Sequence, residues 1–216
     1  MRQKLIRFDY NDQCPIVVQP GKEFFNTCPG KWNNDFFKNE NPIVLELACG
    51  RGEYAIGLAP HFPNKNFIGI DIKGSRIWKG ASFAVENQLT NVGFLRTQIN
   101  NIQNHFTENE VAEIWLTFPD PRPKLSDEKR RLTSERYLKV YKSMLKEGGV
   151  FHLKHDNPEF FAYSLEMLQN FGVKNLVYTN DLYNSELLAS HFGITTTYEK
   201  IFSEKGFTIN YLKCEF

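Results

Sequence analysis

Ile43-Val-Leu-Glu-Leu-Ala-Cys-Gly-Arg-Gly-Glu53 is the stretch on which the reading of this chain turns. Ile43, Val44, Leu45 and Leu47 make a nearly unbroken apolar run, the pattern of a strand buried on both faces of a parallel sheet. The run breaks into Cys49-Gly-Arg-Gly52, where two glycines allow a tight turn and a close approach of backbone to a ligand. Tyr54 to Ala59 then has helical spacing. Strand, glycine turn and helix start together form a ligand cradle at the carboxyl end of a strand. Glu46 sits inside the apolar run, where a carboxylate is costly unless it has a partner. It reads either as a ligand contact or as a strand-end acid that reaches solvent.

Outward from this stretch, strands and helices alternate. Asn66 to Asp71 is a second buried strand ending in an acid, Ser75 to Asn87 a helix, and Val92 to Leu95 a third strand. Val111 to Phe118 is a fourth, followed by a polar, proline-broken loop from Pro119 to Arg131. Ser134 suits the N-cap of a helix carrying Tyr137, Leu138, Tyr141, Met144 and Leu145, with Gly148-Gly149 as its stop. Val150 to Lys154 is a fifth strand, and Asn157-Pro158 opens the next helix. Val173 to Thr179 and Phe207 to Cys214 read as strands around a short helix, Ser185 to His191. Residues 1–42 hold four prolines and little periodicity, and read as an arm with few regular elements before a domain spanning 43–216.

The alternation predicts a doubly wound α/β domain with ligands at the carboxyl ends of its strands. Glu46, Gly50 and Gly52 fall there after the first strand, Asp71 after the second, Asn100 after the third, Asp120 after the fourth, and His155 and Asp156 after the fifth. The turn is not GxGxxG, and no P-loop lysine is present to hold a pyrophosphate. An acid ending the second strand suits a ribose diol whether the cofactor is NAD or S-adenosylmethionine. Two acids on a short arc favour a cationic cofactor without phosphates, and S-adenosylmethionine carries a sulfonium and an ammonium group.

No apolar run is long enough for a membrane span, and the N-terminus lacks the apolar core of a signal peptide, so a cytoplasmic protein is expected. Four cysteines without CxxC spacing read as unpaired thiols. The net charge of +1 does not mark a nucleic-acid binder, but its distribution does. Between Arg122 and Arg136 six basic residues face three acidic ones, and Arg2, Lys4 and Arg7 add a second patch. The histidines have no companions at metal-ligand spacing, and no metal site is expected. Trp32, Trp78 and Trp115 read as core or arm anchors.

Phe118-Pro-Asp-Pro-Arg-Pro-Lys124, Glu128-Lys-Arg-Arg-Leu132, Asp156-Asn157 and Thr196-Thr-Tyr-Glu199 closely resemble the bacterial tRNA (guanine-N7)-methyltransferases, as does Gly30-Lys-Trp32. The resemblance runs in order from about residue 30 to the C-terminus. It implies a seven-stranded Rossmann-like class I methyltransferase fold, mostly parallel with an antiparallel last strand, and methylation of a guanine in the variable loop of tRNA. On that resemblance Glu46, Gly50, Gly52, Asp71 and Asn100 contact S-adenosylmethionine, and Asp120 is the catalytic residue beside cofactor and base. Lys124, Asp156, Thr196, Thr197, Tyr198 and Glu199 contact tRNA, and a loop holding Lys129, Arg130 and Arg131 meets RNA. The chain departs from the pattern where Ala48 replaces a glycine, a change tolerated if its φ is negative. Asn100 replaces an aspartate, Arg122 a tryptophan, and Leu125 to Asp127 a more basic stretch. The expected partner is tRNA, with the protein a monomer or homodimer. Two competing readings stay open: a methyltransferase of another substrate class, and a catalytically silent tRNA-binding module.

Overall fold

The structure, a computed structural model, describes residues 3–216. Eight strands form one sheet in the order β1-β4-β3-β2-β5-β6-β8-β7. At its centre is β2 (Ile43–Leu47), paired in parallel with β3 (Asn66–Asp71) on one side and β5 (Val111–Thr117) on the other. β4 (Val92–Arg96) and β6 (Leu145–His155) extend the parallel set. β8 (Asn210–Glu215) inserts antiparallel between β6 and β7 (Lys174–Thr179). This is the sheet the sequence predicts, with one strand more.

Every β2 residue is buried, as its apolar run demands. Its alternation splits the core. Ile43, Leu45 and Leu47 join Trp32, Leu138 and Phe161 on one face. Val44 joins Phe67, Tyr54 and Ile77 on the other, the side on which Glu46 also points. Helices α3 (Glu53–Leu58) and α4 (Gly74–Glu86) cover that second face, and α5 (Glu135–Met144) and α6 (Pro158–Phe171) the first. Asn157 caps α6 by accepting from the Phe160 amide at 2.8 Å, with Pro158 behind it.

The arm is more regular than its composition implies. α1 (Gln3–Gln13) is fastened to α4 by Asn11 Nδ2, which donates to Gly74 O at 2.8 Å. β1 (Val17–Val18) then pairs with β4 as the extra strand, and Lys22 Nζ donates to Cys14 O and Val17 O at 2.6 and 2.7 Å to hold it. After α2 (Glu23–Thr27), a π-helical turn buries Trp32, whose indole N–H donates to His105 O at 2.8 Å. Of the N-terminal basic residues, Arg2 and the side chain of Lys4 lie outside the described residues.

Two further expectations are corrected. Gly148-Gly149 does not stop α5, which ends at Met144; the pair sits within β6, with Gly148 at φ +70°. Ser134 occupies the N-cap position, but its hydroxyl donates to Lys129 O at 3.2 Å and makes no cap bond. The periodicity also gives no sign of α7 (Thr197–Glu204), which opens on a complete capping box: Thr196 Oγ1 accepts from the Glu199 amide, and Glu199 Oε2 from the Thr196 amide. All four cysteines are buried, unpaired thiols. No helix among the described residues is long and apolar enough to cross a membrane.

Candidate active site

The carboxyl ends of β2, β5 and β6 open into one cleft of about 950 Å³. The glycine turn forms its floor. Gly50 (φ +56°) has only open space where a Cβ would stand, so here the backbone does allow a ligand close approach. Gly52 (φ +71°) is glycine for another reason: a Cβ would lie 2.5 Å from the Phe94 ring. Ala48 takes φ +54°, so the negative φ that would make the replacement of glycine free of strain is not met. Left-handed backbone costs a side-chain-bearing residue about 1–2 kcal/mol. Phe118 and Arg122, on either side of Asp120, are also left-handed at φ +50° and +46°. Three such residues around one cleft mark a strained site of the kind associated with function.

Glu46 does not line this cleft. Its Oε2 accepts the Ala55 amide at 2.8 Å, and the Tyr54 amide also supports it, so the acid satisfies the first turn of α3 from beneath. Burial pushes its carboxyl up to about 8, against the pull of those two amides. Its Oε1, fully buried, has no partner among the described residues. Asp71 is likewise set behind the lining. Its Oδ2 accepts from Gly50 N at 2.9 Å and its Oδ1 from Lys73 N at 2.8 Å, so it braces the glycine turn. Asn100 is exposed outside the cleft lining and accepts a hydrogen bond from the Tyr137 hydroxyl.

Asp120 is presented to the cleft with its side chain 66% exposed. It accepts from Arg122 N at 3.2 Å and faces the Arg122 guanidinium at 3.6 Å. The loop that carries it is tied to β6 by His155. Nε2 donates to Pro119 O at 2.8 Å, and Nδ1 accepts from Asn157 N at 2.8 Å. Those partners fix the neutral tautomer, and burial holds the imidazole below its usual range. Asp156 Oδ1 lies 3.3 Å from Nδ1, which in this tautomer has no proton to share, so the approach is not an ion pair. Asp156 itself lines the cleft.

The wall opposite Asp120 comes from α7 and the residue that caps it. Thr196, Thr197 and Tyr198 line the cleft. The Thr197 amide donates to Glu53 Oε1 and Oε2 at 3.1 Å each, and Arg51 donates to its hydroxyl at 3.2 Å. Arg76 donates to the Tyr198 hydroxyl at 3.1 Å. Glu199, which the sequence groups with them, has no exposed side-chain surface and does not reach this cleft. Its carboxylate is engaged by Lys154 and Tyr183 and by the capping box. Trp78 is an arm anchor, meeting the Tyr10 ring of α1 edge to face. It lines the cleft mouth, with the Arg7 guanidinium 4.9 Å above its ring.

The basic loop lies outside the cleft lining. Lys124, Lys129 and Arg130 are exposed, but Arg130 is paired with Asp127 at 3.0 Å. Arg131 is spent inward: its Nε donates to Arg122 O at 3.2 Å, and its guanidinium stacks 4.3 Å above Tyr163. No cluster of metal-ligating side chains occurs among the described residues.

The profile of a family described as "Putative methyltransferase" matches residues 40–212. A tRNA (guanine-N(7)-)-methyltransferase of Cytophaga hutchinsonii is 48% identical, covering 100% of this chain and 98% of its own. One from Christiangramia forsetii is 46% identical over 98% and 97%, and one from Streptococcus thermophilus 38% over 93% and 90%. The chain belongs to the tRNA (guanine-N7)-methyltransferase family. Among solved structures, the 16S rRNA methyltransferase KamB superposes with a TM-score of 0.60 at 17% identity, covering 81% of this chain and 87% of its own. A structure titled as an antibiotic-related methyltransferase reaches 0.61 at 16%, over 83% and 89%. At such identities these matches speak to the fold alone, and that fold is the class I methyltransferase fold. Of the residues the sequence singles out, the structure places Gly50, Asp120, Asp156, Thr196, Thr197 and Tyr198 in the cleft. Glu46, Gly52, Asp71 and Glu199 form its hidden support.

Proposed function

We propose that this chain transfers the methyl group of S-adenosylmethionine to N7 of a guanine in the variable loop of tRNA. One observation carries the reading: an exposed carboxylate, Asp120, shares a cleft with an open glycine turn in a chain that aligns end to end with a named tRNA (guanine-N7)-methyltransferase. The residues suit the cofactor. An ammonium group, a ribose diol and a sulfonium call for acceptors and negative charge. Asp120, Asp156 and Glu53 supply these in the walls, with Asp71 behind the turn. Behind them, Glu46 Oε1 is a buried polar atom left without a partner among the described residues. When bound, the cofactor supplies an electrophilic methyl group.

Guanine N7 is already a nucleophile, so no base is needed to expose its lone pair. The work of the protein is placement and charge. Asp120 counters the positive charge that methylation puts on the purine, and His155 holds the Asp120 loop through Pro119 O. Asp71 keeps lone pairs for a ribose, and Asn100, its oxygen taken by Tyr137, keeps an NH₂ for adenine. Asp156 and Thr196 to Tyr198 shape the base side of the cleft, while Lys124 and Lys129 reach phosphates outside it.

The test is mass spectrometry of nucleosides from unmodified tRNA after incubation with the protein and S-adenosylmethionine. The expected product is 7-methylguanosine at a single variable-loop position. Transfer only to proteins or small molecules, or tRNA binding without any transfer, would reject the reading.

A further inference from the structure

A buried ion pair lies under α7, away from the reacting groups. Lys154, 1% exposed, projects from β6 to Glu199, 0% exposed, with Nζ and Oε1 2.5 Å apart. The pair is well supported: Lys154 Nζ donates to the Tyr54 hydroxyl at 2.8 Å, which donates on to His191 Nδ1 at 2.7 Å, and the Tyr183 hydroxyl donates to Glu199 at 2.7 Å. Two dehydrated charges are poor sources of net stability, though removing one partner leaves the other stranded at high cost. A pair so placed serves the register of what it joins.

What it joins is a segment with the geometry of a strap. Gly193 and Gly206, at φ +72° and +83°, bracket it. Ile194 seats its near end in a notch on α3, because a Cβ at Gly57 would lie 2.8 Å from Ile194 Cγ1. Its outer side makes the contacts of Thr197 with Glu53 and Arg51 and of Tyr198 with Arg76. Outside the strap's own turns, its polar attachments at the cleft are partly exposed, whereas the Lys154 and Glu199 side chains have almost no exposed surface.

We infer that Lys154 is a positioning residue for the cleft, acting through Glu199 to hold residues 194–205 as a strap that presents Thr196, Thr197 and Tyr198 to the RNA. The inference rests on the proposed tRNA reading for its substrate, but the seating of the strap can be measured without any substrate. With the latch broken, the strap would populate its seated state only part of the time. Apparent affinity for tRNA would then fall by that fraction, while the rate at saturation would be largely kept.

Amide hydrogen exchange on the full-length protein and on Glu199→Gln, Lys154→Met and the double variant tests this. Glutamine keeps the capping-box acceptor and removes the charge. Exchange across 194–205 should rise tenfold or more in Glu199→Gln, with α5 and α6 unchanged. KM for tRNA should rise about fivefold or more, and kcat should change by less than twofold. The double variant, which strands no charge, should fold even if either single variant does not, and its strap should still exchange about tenfold or more faster than the parent's because the latch is gone. Parental exchange in Glu199→Gln, faster exchange through the whole molecule, or a double variant with parental strap protection would each overturn the inference. So would a loosened strap that leaves KM for tRNA unmoved. Absence of tRNA methylation by the parent protein would instead sink the functional reading and leave the exchange result standing.

Discussion

Asp120 is held at its backbone and left open at its carboxylate. Pro119 and Pro121 restrict the chain on either side, His155 grips the Pro119 carbonyl, and the acid itself is two-thirds exposed. If its charge opposes the cation forming on guanine, Asp120→Asn keeps the shape and loses the effect. kcat should then fall by roughly two orders of magnitude or more, with KM for tRNA changed far less. Single-turnover methylation at saturating cofactor and RNA gives the answer, and a loss confined to KM would make Asp120 a grip on the ground state. Glu46 is legible in the sequence as an anomaly, an acid in an apolar run. Its partners are not, because the α3 amides that engage it belong to backbone geometry. A carboxyl raised from 4.5 to about 8 on folding contributes stability that is fully present below about pH 4.5 and lost as pH rises through about 8. Glu46→Gln should flatten that slope, which is worth on the order of 1 kcal/mol per pH unit. Urea unfolding at pH 5, 6, 7 and 8 measures it, and parallel curves for parent and variant would mean that Glu46 is ionised throughout.

At the scale of elements, the basic loop divides into two kinds of residue that composition alone does not separate. Lys124 and Lys129 face solvent, whereas Arg131 braces the Asp120 loop through Arg122 O. Replacing the two lysines by alanine should weaken tRNA binding and reduce the salt slope by roughly 0.7–0.9 for each phosphate left without its lysine, with catalysis at saturation intact. Arg131→Ala should lower kcat as well. Filter binding across a salt series, with saturating kinetics beside it, distinguishes the two; an unchanged slope for the lysine pair would make the loop a solvated surface. The strands and most helices are readable because periodicity reports burial directly. α7 escapes because Thr196-Thr-Tyr-Glu199 resembles an RNA-contacting motif, which hides its local meaning. The same four residues spell a capping box, and that signal is present in the sequence. α1 escapes for a different reason. Its helical segment is mostly polar, and two of its apolar residues, Leu5 and Ile6, are about half exposed, so no clean stripe marks it.

For the whole molecule, alternation of strands and helices is enough to place the cleft, because a doubly wound sheet fixes where its carboxyl ends meet. The arm is beyond that logic. Its two-residue strand has no pattern of its own, and it joins the sheet only because β4 offers an unpaired side, where Phe94 N donates to Ile16 O at 2.8 Å. The sheet thus has two rims guarded by opposite means. At β7 the guard is local: Asn175 turns left-handed at φ +50°, the pairing register slips between Lys174 and Val177, and a lysine stands at the margin. At β4 nothing local protects the rim, and β1 is its cover, with Val17 and Val18 buried upon it. Stripped of residues 1–21, the chain would present a straight row of amides and carbonyls to any other copy. Such a truncation should fail by intermolecular strand pairing before it fails by unfolding. Light scattering should report mass growing with concentration while circular dichroism keeps its α/β signature. A truncated chain that stays at the parental mass would show that β4 guards itself. Seen this way, those two valines act as a stopper against polymerisation.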